Sequence, residues 1–222
     1  MQKFTTTAPI AALLDVPAGL IRFIAADRAE TTVEVRPANA AKGRDVKAAE
    51  RIEVGYADGV LRIVAREAES RMLGNSGAVE VTVQLPSGSR VEAKAADAEL
   101  RGAGRLGDVV FDGARATVEL AEATEARITV QAGDVTVGRL NGPATVTVQQ
   151  GDIRIAEAVH GEVMLTTQSG DITVGAARGV SASLDAGTSY GRIQNSLRNT
   201  EGAADLRIRA TTSYGDITAR SI

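Results

Sequence analysis

From about residue 90 to the end of the chain, apolar residues come in pairs separated by one polar position, and a new pair starts every nine or ten residues on average. Alternate pairs form one column: Val91/Ala93, Val109/Phe111, Ile128/Val130, Val146/Val148, Val163/Leu165, Ala182/Leu184 and Leu206/Ile208. The pairs between them form a second: Ala98/Leu100, Val118/Leu120, Val135/Val137, Ile153/Ile155, Ile172/Val174, Ile193 alone and Ile217/Ala219. A period of two within a run predicts a strand with one face buried. A period near 18 between runs predicts stacked coils, each with two short strands hydrogen-bonded in parallel to the coils above and below.

The second column carries a punctuation mark. Gly133-Asp134, Gly151-Asp152, Gly170-Asp171 and Gly215-Asp216 each open a strand, with Gly191-Arg192 as the one variant. Glycine suits a corner that needs positive φ or a close approach between coils. The Asp beside it is expected to accept a backbone N–H locally, as in an Asx turn. Gly142, Gly161 and Gly179 mark the return turn.

The first 88 residues lack the 18-residue period. Ala11–Val16, Leu20–Ala25, Thr31–Arg36, Arg51–Tyr56, Val60–Ala65 and Ala78–Leu85 alternate like strands, with a short helix near Asp45–Glu50. Asp58-Gly59 is a two-residue hairpin signal. The polar stretch from Arg66 to Gly77 reads as a loop. The expected fold is all-β: a parallel β-solenoid (a single-chain β-helix) of about 18–20 residues per coil and roughly seven coils. Residues 1–88 form a β-strand and hairpin cap on the repeats of 89–222, in one continuous domain.

Strands opening on Gly-Asp-Ile/Val, together with Thr32-Val-Glu-Val35, Gly59-Val-Leu-Arg-Ile63 and Val81-Thr-Val-Gln-Leu-Pro86, give the chain a family likeness. It resembles the bacterial β-strand-repeat family called "putative adhesin", a domain of unknown function. The resemblance covers nearly the whole chain. It implies the repeat fold and an adhesin-like role, and it brings no catalytic residue.

Composition narrows the chemistry. With no cysteine among 222 residues, disulfides, thiol catalysis and zinc fingers are excluded. One histidine, His160, falls beside the return-turn glycines, where it is expected to be exposed. The formal charge of −3 gives no footprint for nucleic acid. Aromatics make up only 3%, which fits a narrow interior, with Phe111 the one aromatic on an inward repeat position. The N-terminus lacks an apolar signal region, and no run is long enough to span a bilayer. A cytoplasmic chain with no membrane association and no cofactor is the expectation.

Four features are candidate sites. Asp134, Asp152, Asp171 and Asp216 stack in one column, yet one Gly-Asp per coil supplies too few oxygens for calcium's six to eight ligands. The column Gly133, Asp134, Gly151, Asp152, Gly170, Asp171, Gly191, Arg192, Gly215 and Asp216 is therefore read as turn structure, with Arg192 lying between Asp171 and Asp216. Outward hydroxyls form a second feature: Thr129 and Thr147 on one face, Thr136, Thr173 and Thr218 on the other. Arg154, Met164, Gln194 and Arg207 interrupt them. Third, Thr-Ser-Tyr-Gly occurs at 188–191 and 212–215, which stacks Tyr190 on Tyr214 as an aromatic contact surface. Fourth, the chain's last coil, with Leu206 and Ile217 facing inward, is expected to be the open end of the stack. There it supports a homodimer, unless the loop from Asn195 to Ala204 covers it. The function expected is a non-enzymatic binding or scaffold module for a protein or glycan partner. The alternative is a polysaccharide-active β-helix, whose two carboxylates would sit on one face.

Overall fold

In the computed structural model, described for residues 1–66, 77–199 and 204–222, the alternating pattern becomes strand nearly throughout. The N-terminal part holds β1 (Gln2–Thr5), β2 (Ala11–Asp15), β3 (Ala18–Ala26), β4 (Glu30–Pro37), α1 (Gly43–Glu50), β5 (Ile52–Ala57), β6 (Val60–Ala65) and β7 (Val79–Pro86). The repeats hold β8 (Arg90–Ala132), β9 (Val135–Leu140), β10 (Ala144–Gln150), β11 (Ile153–Ala158) and β12 (Gly161–Ser169). They continue through β13 (Ile172–Ala176), β14 (Ala182–Tyr190), β15 (Ile193–Ser196), β16 (Leu206–Tyr214) and β17 (Ile217–Ser221). The short strand β1 has no counterpart in the sequence pattern. All but the end residues of the Arg66–Gly77 stretch lie outside the described residues.

Two parallel ladders run the length of the stack. The first joins β6, β2 and the start of β8, then residues 126–132 of β8, β10, β12, β16 and β14. The second joins β7, β3 and residues 97–103 of β8, then residues 118–123 of β8, β9, β11, β13, β17 and β15. Within β8, Arg115 reaches Asp97 at 2.5 Å and Arg101 reaches Glu119 at 3.8 Å. Both pairs are 18 residues apart, the repeat made visible. The chain is thus a solenoid-like β-repeat, and its ladders extend past residue 88 into the N-terminal part.

The columns of paired apolar residues are the core. Val91, Val109, Ile128, Val146, Val163 and Leu206 from one ladder are at most 1% exposed, as are Leu100, Val118, Val135, Ile153, Ile172 and Ile217 from the other. No coil covers both sides of its own inward residues; the next coil does. Each fully buried Val, Ile or Leu contributes roughly 1.5–3 kcal/mol, so stacking is what holds the repeats. Phe23 on β3 is as buried as Phe111 and is a second inward aromatic. Among the described residues no helix is long and apolar enough to cross a membrane.

At the N-terminal end the pairing changes sense. β4 lies antiparallel to β7, β1 to β4, and β5 to β6. Asp58 and Gly59 both take positive φ, 50° and 78°, as a tight two-residue hairpin turn requires. Phe4 of β1 meets Tyr56 of β5 with ring centroids 5.3 Å apart.

The other end departs from chain order. The coil β16–β17 is inserted between β12–β13 and β14–β15. Leu206 and Ile217 are therefore 0% exposed, and the expectation that they form the open end is corrected. The reason lies in composition. β16 and β17 place Leu206, Ile208, Ala210, Ile217 and Ala219 inward, all at most 2% exposed. β14 and β15 offer Ala182, Leu184, Ala186, Ile193 and Asn195 at the matching positions, so the coil with a polar inward residue is left outermost. The N-terminal part repeats the device, with β2–β3 inserted between β6–β7 and β8.

Candidate functional site: the corner ladder and the lateral face

At each corner a glycine faces the backbone of the coil behind. Gly151 and Gly170 have φ of 141° and 150°. A Cβ on either would collide with the carbonyl of Gly133 or Gly151 respectively. Close approach and backbone conformation exclude a side chain together.

The Asp beside each glycine links coils. Asp134 Oδ1 accepts from the Asp152 N–H at 2.8 Å, Asp152 Oδ1 from Asp171 at 2.7 Å, and Asp171 Oδ1 from Asp216 at 2.7 Å. Asp216 Oδ1 accepts from the Arg192 N–H at 2.8 Å. The local turn bond expected from the sequence is replaced by a bond between coils. Arg192 does not sit between Asp171 and Asp216; it ends the ladder, with its guanidinium 3.4 Å from Asp216. The order follows from the inserted β16–β17 coil.

A row of threonine hydroxyls runs just inside this corner, and the alternation of the sequence conceals it. Thr167 Oγ1 donates to the Gly151 carbonyl at 3.0 Å, Thr212 to Gly170 at 3.1 Å, and Thr188 to Gly215 at 3.0 Å. Thr167 and Thr212 are each 2% exposed. They occupy an inward position, because Thr167 pairs with Val148. A satisfied hydroxyl lets threonine stand in for valine there. The usable signal is Thr three residues before the corner glycine: Thr167 and Gly170, Thr188 and Gly191, Thr212 and Gly215.

That register also reassigns the outer face. Val146 lies beside Leu165, not Val163, and Thr147 lies beside Thr166. Thr129, Thr147, Thr166 and Thr211 thus form an unbroken column over four successive coils, ending at Gly187. Met164 belongs to the next column, beside Thr145. Two residues further on, Gln131, Gln149 and Gln168 form an exposed parallel row. The result is a flat, uncharged face of hydroxyls and amides repeating at the coil spacing, roughly 4.8 Å. Beside it lies a hollow of about 210 Å³ lined in part by Asp108, Glu125, Arg127, Thr145, Glu162 and Met164. It is smaller than usual small-molecule pockets of about 300–1,000 Å³.

On the second ladder the outer face is charged: Arg139 lies 2.6 Å from Glu157, and Asn141 donates to Glu122 at 2.8 Å. Thr136 and Arg154 are neighbours there, as are Arg154 and Thr173, and Thr173 and Thr218. His160 is exposed. Tyr190 and Tyr214 stack with centroids 5.0 Å apart and planes 2° from parallel. Both are exposed, at 67% and 59%. Leu206 and Ile217 do not share that surface. Among the described residues no three His, Cys, Asp or Glu side chains gather as a metal site requires.

Two ladders of short parallel strands, turned at Gly-Asp corners, define a solenoid-like β-repeat protein. The chain belongs to the Toastrack DUF4097 family, whose model matches residues 105–220, just over half its length. Over 98% of its length it is similar to the crystal structures of a "putative adhesin" from Bacteroides fragilis (11% identity, TM-score 0.48) and of another from Parabacteroides distasonis (13%, 0.48), covering 95% of each. It is also similar over its full length to a "putative cell adhesion protein" from Clostridium sporogenes (13% identity, TM-score 0.36, 98% of that chain). No curated protein sequence shows a significant match.

Proposed function

We propose that the chain is a non-enzymatic binding module that presents its flat Thr/Gln face to a repeating, uncharged polar ligand, a glycan strand. The unbroken column Thr129, Thr147, Thr166 and Thr211 carries this reading. Stacked coils hold these hydroxyls in register, so a ligand with its own regular spacing can meet several at once without reordering the protein. Each contact is weak, and the array multiplies it. The adhesin-like role implied by the family resemblance is in keeping with such a surface.

The polysaccharide-cleaving alternative needs two free carboxylates across a bound sugar. One oxygen of each stacked Asp is already engaged by the next coil, which favours a structural role. The test is a panel of neutral glycans on the immobilised chain, with product release assayed in parallel. Binding is expected for some members, weakened at least tenfold by Thr147→Lys with Thr166→Lys, and with no release of sugar. Release of sugar abolished by Asp171→Asn would contradict the reading, as would binding untouched by the double variant.

A further inference from the structure

We propose that the outermost coil, β14–β15, is a homodimer interface through which two copies of this chain meet end to end. This goes beyond the lateral face and does not depend on it. Among the described residues, the strand partners of β14 and β15 lie on one side only, β16 and β17. On the other side the chain after β15 covers the start of β14, where the Ala182 N–H donates to the Arg198 carbonyl at 3.1 Å and Leu197 packs against the core. The rest of the coil is left open. Ile193 is 45% exposed, whereas Ile172 and Ile217 at the same position two and one coils deeper are 0% exposed. Leu184 and Ala186 are only partly covered. Tyr190 stacks on Tyr214 at the coil behind, which leaves its other ring face toward the end of the stack. Residues 182–196 contain neither proline nor lysine, two devices that commonly block such edges.

The chemistry of the end selects a second copy, like end to like end. The opposite end of the molecule carries antiparallel strands, β4 on β7 and β5 on β6, so among the described residues it offers no parallel ladder that β14–β15 could continue. A further coil in parallel register would also bring its corner N–H over position 192. There Arg192 presents a guanidinium in place of the Asp Oδ1 that the four corners behind it supply. A two-fold contact reverses the partner's strand direction and makes no such demand. It also closes after two subunits.

Charge permits the approach. Asp185 and Arg192 each lie 3.4 Å from a partner on the coil behind, Arg209 and Asp216, so like ends meet with little net repulsion. Arg198 lies against the start of β14, its carbonyl accepting from Ala182 and its N–H donating to Ser221 Oγ. Residues 182–199 are eighteen in number, close to the roughly 20 per side of the smallest standard interfaces.

The experiment is light scattering after gel filtration of the full chain at high micromolar concentration. Twice the 23.0 kDa chain mass is expected. Ile193→Lys and, separately, Tyr190→Lys should weaken dimerisation at least tenfold while the circular-dichroism melting curve stays that of a folded chain. Met164→Lys on the lateral face should leave the dimer intact. A 23.0 kDa species at every concentration overturns the proposal. So does a dimer unaffected by both end variants. The readout is mass alone, so it stands or falls separately from glycan binding.

Discussion

A carboxylate that bonds the backbone of the next coil acts as a staple, and its charge is incidental to that role. Asp171 accepts from the Asp216 N–H at 2.7 Å and donates its own N–H to Asp152 at the same distance. An Asn keeps the accepting oxygen; an Ala does not. A lost hydrogen bond of this kind costs about 1 kcal/mol, or roughly 2–4 °C in melting temperature for a chain of this size. Asp171→Ala should therefore melt lower by that amount, while Asp171→Asn stays within a degree or so of the parent. Equal losses in the two variants would show that charge, not the bond, matters. The Gly-Asp phrase was legible as a corner from its spacing. Its partner was not, because the donor lies 18 to 45 residues away and nothing local marks it. The inward threonines were hidden for a related reason: a hydroxyl reads as outward until its carbonyl acceptor on another coil is known.

Strands in this stack differ in how many neighbours hold them. β16 is bonded on both sides, by β12 and β14, and β17 by β13 and β15. β14 and β15 have one bonded strand neighbour each among the described residues, with only the Ala182 N–H held on the other side, by the Arg198 carbonyl. Opening β14–β15 breaks one set of ladder bonds; opening β16 requires β14 to leave first or two ladders to break together. Hydrogen exchange should thus protect β16 and β17 more than β14 and β15, although they lie nearer the C-terminus. Protection that declines steadily along the sequence would contradict this pairing. The existence and phase of nearly all strands followed from period-two alternation. Register did not: Val163/Leu165 and Val146/Val148 look equivalent, yet Val146 pairs with Leu165. A two-residue slip preserves the inward face, so alternation cannot detect it.

At the scale of the whole molecule, stacking makes stability a sum over neighbouring coils, and the order of coils decides which surface is open. Periodicity shows that coils exist and is silent on their order. The widened spacing near the C-terminus, 21 to 24 residues against 17 to 20 earlier, was the trace of the step past an intervening coil. The repeated Thr-Ser-Tyr-Gly corner makes the last two coils alike at one edge, and the apolar content of β16–β17 places it inside. Both the end surface and the extent of the Thr column rest on that order. A cysteine-free chain allows it to be read by engineered cross-links, since adjacent in-register strands bring Cα atoms within disulfide range. Met164 pairs with Arg209, and Arg209 with Asp185. Under mild oxidation, Met164→Cys with Arg209→Cys should form an intramolecular disulfide, and Met164→Cys with Asp185→Cys should not. The reverse result would put the coils in chain order and contradict the inserted β16–β17 coil.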